Sequence, residues 1–148
     1  SIYVYWKRTS PHPMMTLFDA PDRESSCVMR SRSNTALQSL GLLNETQRIE
    51  MSRKLAERLI KSTDDDQRRL DFLYGLLSSR KPTANEKTAC IKLVSTMRER
   101  YKSSEEDAVA LISAGDASRD QKIPVAELAA WTQLTTIVLA SDAAILIY

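Results

Sequence analysis

Glycine and proline are scarce in this sequence, at 3 and 5 of 148 residues. Sandwiches and barrels use such residues at most of their hairpins, so a turn-rich all-β architecture is excluded and helices are favoured. Cysteine is equally thin: Cys27 and Cys90 lie far apart, with no CxxC and no CxxCH around them. With His12 as the single histidine, a zinc site or a covalent haem made by this chain alone is not expected. No uncharged apolar run reaches the roughly 20 residues that span a bilayer, so no membrane span is expected. The net charge of +2 is too small to imply a polyanion, and nucleic acid is not an expected partner. A Gly-rich phosphate loop, GxSxG and HExxH are all missing, which removes the commonest nucleotide-binding and hydrolase readings.

What remains is 43% apolar and 27% charged, the composition of one soluble domain able to bury a core without disulfides or metal. Residues 1–34 carry Lys7, Arg8, Arg23, Arg30 and Arg32 against Asp19, Asp22 and Glu24, whereas residues 35–148 are balanced. The net charge therefore sits in an irregular, motif-rich segment over 1–34, and 35–148 forms the helical part of the same domain. The opening Ser-Ile-Tyr-Val-Tyr-Trp lacks Met and reads as the middle of an element, as expected for the C-terminal fragment of a larger multidomain protein.

From Asn34 onward apolar residues recur at three and four. Asn34 or Thr35 caps a short helix with Leu37, Leu40 and Leu43 as its apolar positions. A second helix spans about Glu45 to Lys61. Asp64, Asp65 and Asp66 favour the start of a third, which buries Leu70, Leu73, Leu76 and Leu77 and stops before Pro82. Thr83 and Glu86 have capping-box spacing and open a fourth helix to about Tyr101, with Arg98 and Arg100 near its C-terminal dipole. A fifth holds Val109, Leu111 and Ile112 and closes at Gly115. Pro124 suits a first helical position, and a last helix over Val125 to about Ala140 is apolar nearly all round, as in a helix enclosed by others. Trp131 and Leu134 are expected to pack on the helices bearing Leu73, Leu76 and Val94.

Three groups could carry chemistry. Asp19, Asp22, Arg23 and Glu24 could supply acid/base carboxylates or hold a hard cation, although Asp before Pro commonly forms a turn and Asp-Arg-Glu a local ion-pair cluster. His12, fixed between Pro11 and Pro13 in extended backbone, could be a ligand or proton shuttle, but such a histidine usually faces solvent. The aromatic and basic set of Tyr5, Trp6, Arg8, Arg30 and Arg32 reads as anchors, with arginines pinning a loop to buried carbonyls and carboxylates near the first helix.

Assembled in order, Tyr3-Val-Tyr-Trp6-Lys7-Arg8-Thr9, Pro11-x-Pro13, Phe18-Asp19-Ala20-Pro21-Asp22-Arg23-Glu24, Cys27 and Arg30-x-Arg32-Ser33-Asn34-Thr35 form a distinctive set. With Leu37-Gln38-x-Leu40-x-Leu42-Leu43-Asn44 and Glu127-Leu-Ala-Ala-Trp131-Thr132, the chain resembles the C-terminal domain of unknown function, PSD type, of planctomycete cytochrome-c-associated proteins. The resemblance implies a domain that starts upstream of Ser1, in a polypeptide that can carry haem c in an upstream module. It also implies an exported protein of the periplasm or cell envelope. No residue is carried over as catalytic. Ala36 stands where relatives usually have Pro, and Glu45 where they have Asp. The fold expected is an all-α irregular bundle of five to six helices, with Tyr5, Trp6, Arg8, Arg30, Arg32, Asn34 and Trp131 as its structural motif. The function expected is that of a structural and interaction module whose partners are upstream domains of the same polypeptide and other proteins. The alternative is part of an active site, hydrolase or oxidoreductase, that upstream domains complete. The two differ in whether the acids meet backbone amides and arginines or converge on a cleft.

Overall fold

Local capping and apolar periodicity turn about two thirds of the described residues into helix. The computed structural model describes residues 5, 7, 9–21, 26–30 and 33–145, and among these there are eight helices and no strand. The fold is all-α. Six of the helices have eight or more residues. The chain divides into two compact units, Ser1–Leu42 and Leu43–Tyr148.

In the first unit, α1 (Pro13–Leu17) begins at His12, whose extended backbone precedes Pro13 at the first helical position. The imidazole Nδ1 accepts the Met14 N–H at 3.3 Å, so this histidine is a helix cap. The helix ends in a Schellman arrangement: Asp19 N–H donates to the Thr16 carbonyl and Ala20 N–H to the Met15 carbonyl. Asp19 occupies the left-handed position at φ +54°, a conformation that Asp tolerates better than most side chains. The next helix, α2 (Ala36–Asn44), starts with a reciprocal cap in which Thr35 Oγ1 accepts the Gln38 N–H and Gln38 Oε1 accepts the Thr35 N–H. Gln38 is buried, and its Nε2 donates to the Leu17 carbonyl and Ser33 Oγ, both at 2.9 Å. Gly41 permits the close approach: a Cβ there would lie 2.7 Å from Leu17 Cδ2. Because Gln38 and Gly41 make this contact, Leu37 and Leu40 are 61% and 56% exposed rather than forming the expected inward face.

The second unit contains α3 (Thr46–Ser62), α4 (Asp66–Ser78), α5 (Ala84–Ser103), α6 (Glu105–Ile112), α7 (Val125–Leu139) and α8 (Asp142–Ile145). Several boundaries have a local cause. Asp65 accepts the Gln67 N–H at the start of α4, and Ser79 at φ +53° ends that helix before Pro82. Thr83 and Glu86 form both halves of the expected capping box on α5. Pro124 stands just outside α7, as its N-cap rather than its first helical residue, because its ψ of 136° is extended.

The apolar helix α7 is central, with Leu128, Trp131 and Leu134 fully buried. Its backbone neighbours are α3, α5, α6 and the short α8. The expected pairing of α7 with α5, the helix bearing Val94, is present, and Leu73 and Val94 share one buried cluster with Trp131 and Leu134. The backbone of α4 lies against α3, α5 and α8, its Arg69 reaches Trp131 and Glu127 on α7, and Leu76, expected to be buried, is 42% exposed. Small residues on α3, Ser52 and Ala56, let α7 come close enough for Thr135 Oγ1 to donate to the Ser52 carbonyl at 2.9 Å. No helix among the described residues is long and apolar enough to cross a membrane.

The loop from α6 to α7 lies along a polar face of α3. Glu50 Oε2 accepts the Asp116 N–H at 2.7 Å, and Glu57 Oε1 accepts the Asp120 N–H at 3.1 Å. Arg53 Nη2 donates to the Ala117 carbonyl at 2.6 Å, Lys54 donates to the Ser118 carbonyl, and Lys61 pairs with Asp120. Gly115, at φ +88°, is required here, since a Cβ would fall 1.9 Å from Glu50 Oε2. The helix α6 itself ends earlier than expected, at Ile112.

Candidate functional site

Two groups of polar side chains deserve comparison as sites, one in each unit. In the first, Asp19 is held by the end of α1, and its Oδ2 accepts the Ser33 N–H at 2.8 Å and Ser33 Oγ at 2.7 Å. These two hydrogen bonds hold the Asp19 carboxyl below the ordinary carboxylate range. Arg30 donates from Nε to the Asp19 carbonyl at 3.3 Å and from Nη2 to the Phe18 carbonyl at 3.1 Å. It thereby supplies donors and positive charge at the C-terminus of α1, where carbonyls lack helical partners. These acceptors are exposed, contrary to the expected burial, because α1 has no buried residue. An open hollow of about 950 Å³ lies beside them, with Val28 and Met29 on its rim.

Among the other residues named from the sequence, Tyr5 is 86% exposed and Asn34 is exposed. Trp6, Arg8, Asp22, Arg23, Glu24 and Arg32 lie outside the described residues. Cys27 is exposed, Cys90 is buried, and both are free thiols. Among the described residues no group of three or more His, Cys, Asp or Glu side chains is placed to hold a metal ion.

The second group was missed in the sequence reading. Asp66 at the start of α4, Arg69 one turn later, Arg98 on α5 and Glu127 at the start of α7 form one closed ionic network. Arg98 donates from Nε to Glu127 Oε2 at 2.6 Å, from Nη1 to Asp66 Oδ2 at 2.6 Å, and from Nη2 to both carboxylates at 2.7 and 2.9 Å. Arg69 Nη1 donates to Glu127 Oε1 at 2.9 Å and Asp66 Oδ1 at 3.1 Å, and its Nε donates to the Thr63 carbonyl at 2.7 Å. Trp131 Nε1 completes the set on Glu127 Oε1 at 3.0 Å, while the Arg69 guanidinium lies 5.4 Å above the Trp131 ring centroid. Two cations face two anions. The side chains retain only 7% to 27% of their exposure.

The electrostatics follow from that geometry. Arg98 hydrogen bonds hold the Asp66 carboxyl below its ordinary range, against the opposing effect of burial. Burial raises the Glu127 carboxyl, and the Arg98 hydrogen bonds with the Arg98 and Arg69 charges reverse this to a net lowering. Hydrogen bonds to Glu127 and Asp66 raise Arg98 further, so the network stays charged at neutral pH. A groove of about 880 Å³ with Asp64, Gln67 and Lys102 on its walls runs past it. Both carboxylates line that groove, and each of their four oxygens already accepts at least one hydrogen bond from Arg69, Arg98 or Trp131. The arrangement braces three helices and is unsuited to general acid/base work, which needs a carboxyl poised near neutral pH.

The sequence did carry a signal for this site. Glu127 is the only charged residue of α7, and a lone charge in a buried apolar helix needs a partner. Its spacing of four from Trp131 places the carboxylate within reach of the indole Nε1–H.

Residues 1–94 match the family model PSD1, described as a protein of unknown function (DUF1553). The chain belongs to the PSD1 family. Neither a curated protein nor a solved structure matches it. The PSD1 match covers the whole first unit, α3 and α4, and ends at Val94 inside α5, so it takes in Asp19, Arg30, Asp66 and Arg69. Arg98 and Glu127, which close the ionic network on the PSD1 residues Asp66 and Arg69, lie beyond the matched span.

Proposed function

We propose that this chain is a structural and interaction module of a larger, exported polypeptide, of the kind in which a cytochrome-c-like haem domain lies upstream and other domains of the same chain are its partners. The observation that carries this reading is where the acids point. Asp19 Oδ2 accepts from the Ser33 amide and hydroxyl, and Asp66 and Glu127 accept from Arg69 and Arg98, so each of these carboxylates is engaged by donors of the fold itself. Acids in an active site keep lone pairs open toward a cleft. The resemblance to planctomycete cytochrome-associated proteins supports the exported, cell-envelope setting, with haem c held outside these residues.

The test is isolation of the natural polypeptide from its source, by cell fractionation followed by intact mass and absorption spectrum. The reading expects a mass well above that of this 148-residue chain and recovery in the envelope or periplasmic fraction. A stand-alone polypeptide of this length in the cytoplasm would overturn it. A Soret band would establish the haem context, and its absence would remove the cytochrome part of the proposal.

A further inference from the structure

The loop over α3 joins two well-anchored ends through a span none of whose own residues is buried. Ile112 is fully buried at the end of α6 and Ile123 is 7% exposed before α7, but none of the residues 113–122 between them is buried. What holds residues 114–120 is polar: the carboxylates of Glu50 and Glu57 on the Asp116 and Asp120 amides, Arg53 and Lys54 on carbonyls, and Lys61 on the Asp120 carboxylate. Every one of these contacts comes from the same face of α3. Beneath the loop, Arg53 is only 1% exposed and its Nε is buried with no hydrogen-bond partner. Its Nη2 is held by the Ala117 carbonyl and, more weakly, by that of Ala114 at 3.5 Å.

We infer that residues 114–120 form a strap that opens off α3 as a unit while the helices stay folded, and that its opening uncovers the Arg53 guanidinium. The closed state has no fully buried side chain of its own over this span and leaves one buried donor unpaired, which weakens it. The contacts that oppose opening are charge-assisted and largely at the surface, so salt weakens them. Gly115 gives the strap a pivot free of the Cβ penalty at positive φ. The inference does not depend on the proposed module role.

Two measurements on the chain test it. Amide hydrogen exchange followed by NMR reads the strap through Asp116 and Asp120, and the core through Leu134 and Thr135 on α7. Reaction with phenylglyoxal, mapped by mass spectrometry, reads exposure of Arg53. The strap predicts that Asp116 and Asp120 lose protection together, by about two- to five-fold between low and about 1 M salt, while the α7 amides are unchanged. The Arg53 modification rate should rise by the same factor, and Lys61→Met should reproduce the rise at low salt with the α7 amides as the control for folding. Arg53 reacting only as quickly as the α7 amides exchange would overturn the inference, since that is global unfolding. Asp116 and Asp120 responding separately, or Arg53 reacting at low salt as readily as the exposed Arg68, would overturn it as well.

Discussion

Replacing Glu127 by Gln keeps the shape of the side chain and removes its charge. The carboxylate accepts from Arg69, twice from Arg98, and from Trp131. After substitution one oxygen remains as an acceptor, and the new amide donors face guanidinium nitrogens. Removing one member of a fully buried ion pair costs about 3–5 kcal/mol, because the other charge is left without compensation. Here the carboxylate keeps 23% exposure and Asp66 still faces both arginines, so the expected loss is smaller, about 2–4 kcal/mol. For a domain of this length that corresponds to a fall in Tm of about 6–12 °C. The assay is urea unfolding followed by circular dichroism for the parent, Glu127→Gln, Arg98→Met and the double variant. The network reading predicts that the double variant loses at least about 1 kcal/mol less than the sum of the singles, since no orphaned Glu127 or Arg98 charge remains. Additivity within about 0.5 kcal/mol would refute the reasoning, as would a single-variant loss below about 0.5 kcal/mol.

Trp131→Ala should cost about 3–5 kcal/mol by urea unfolding, through the cavity it leaves among fully buried neighbours and the loss of its hydrogen bond to Glu127. Arg30→Ala should cost less than about 1 kcal/mol in the same assay, because the Phe18 and Asp19 carbonyls it serves are exposed and regain water. Acid should destabilise the fold. The Arg80 guanidinium holds the Glu86 carboxyl down at about 2, with help from Thr83, and Asp66 and Glu127 are also lowered. A carboxyl lowered by folding contributes stability that is complete above its unfolded pKa of about 4 and is lost as the pH falls through the folded value. Stability should therefore be flat between about pH 6 and 8 and fall steadily from about pH 5 toward 2. A midpoint of urea unfolding that does not move between pH 5 and 3 would contradict those ion pairs.

Much of the helical scaffold could be read from local chemistry. Thr83 with Glu86, the three aspartates at the start of α4 and the apolar run of α7 each specify an element from neighbouring residues alone. Where expectation and structure part, a long-range contact decides. Leu37 and Leu40 repeat at helical spacing, yet Gln38 and Gly41 hold the inner side of α2, since Gln38 satisfies the end of α1 and Gly41 lets Leu17 approach. The contacts that join α4, α5 and α7 in the ionic network span 29 to 58 positions, and Arg98, expected near the end of its helix, has a sufficient local explanation in the helix dipole, although α5 runs on to Ser103. The lone charge of Glu127 was the one mark on the sequence that called for a distant partner. Asp19 illustrates the opposite case: beside Pro21 in an acidic word it is legible as a turn residue or as a catalytic acid, and only the Schellman geometry with Ser33 separates them.

The central claim, that the acids of these sites brace the fold and are not poised for catalysis, rests on their protonation behaviour. The most direct measurement is a carbon-13 NMR titration of the Asp and Glu side-chain carboxyls of the chain. The account predicts that Asp19, Asp66 and Glu127 all titrate below the ordinary carboxylate values of about 3.9 and 4.3. Any one of the three titrating between about pH 5 and 8, the range of a general acid or base, would contradict it.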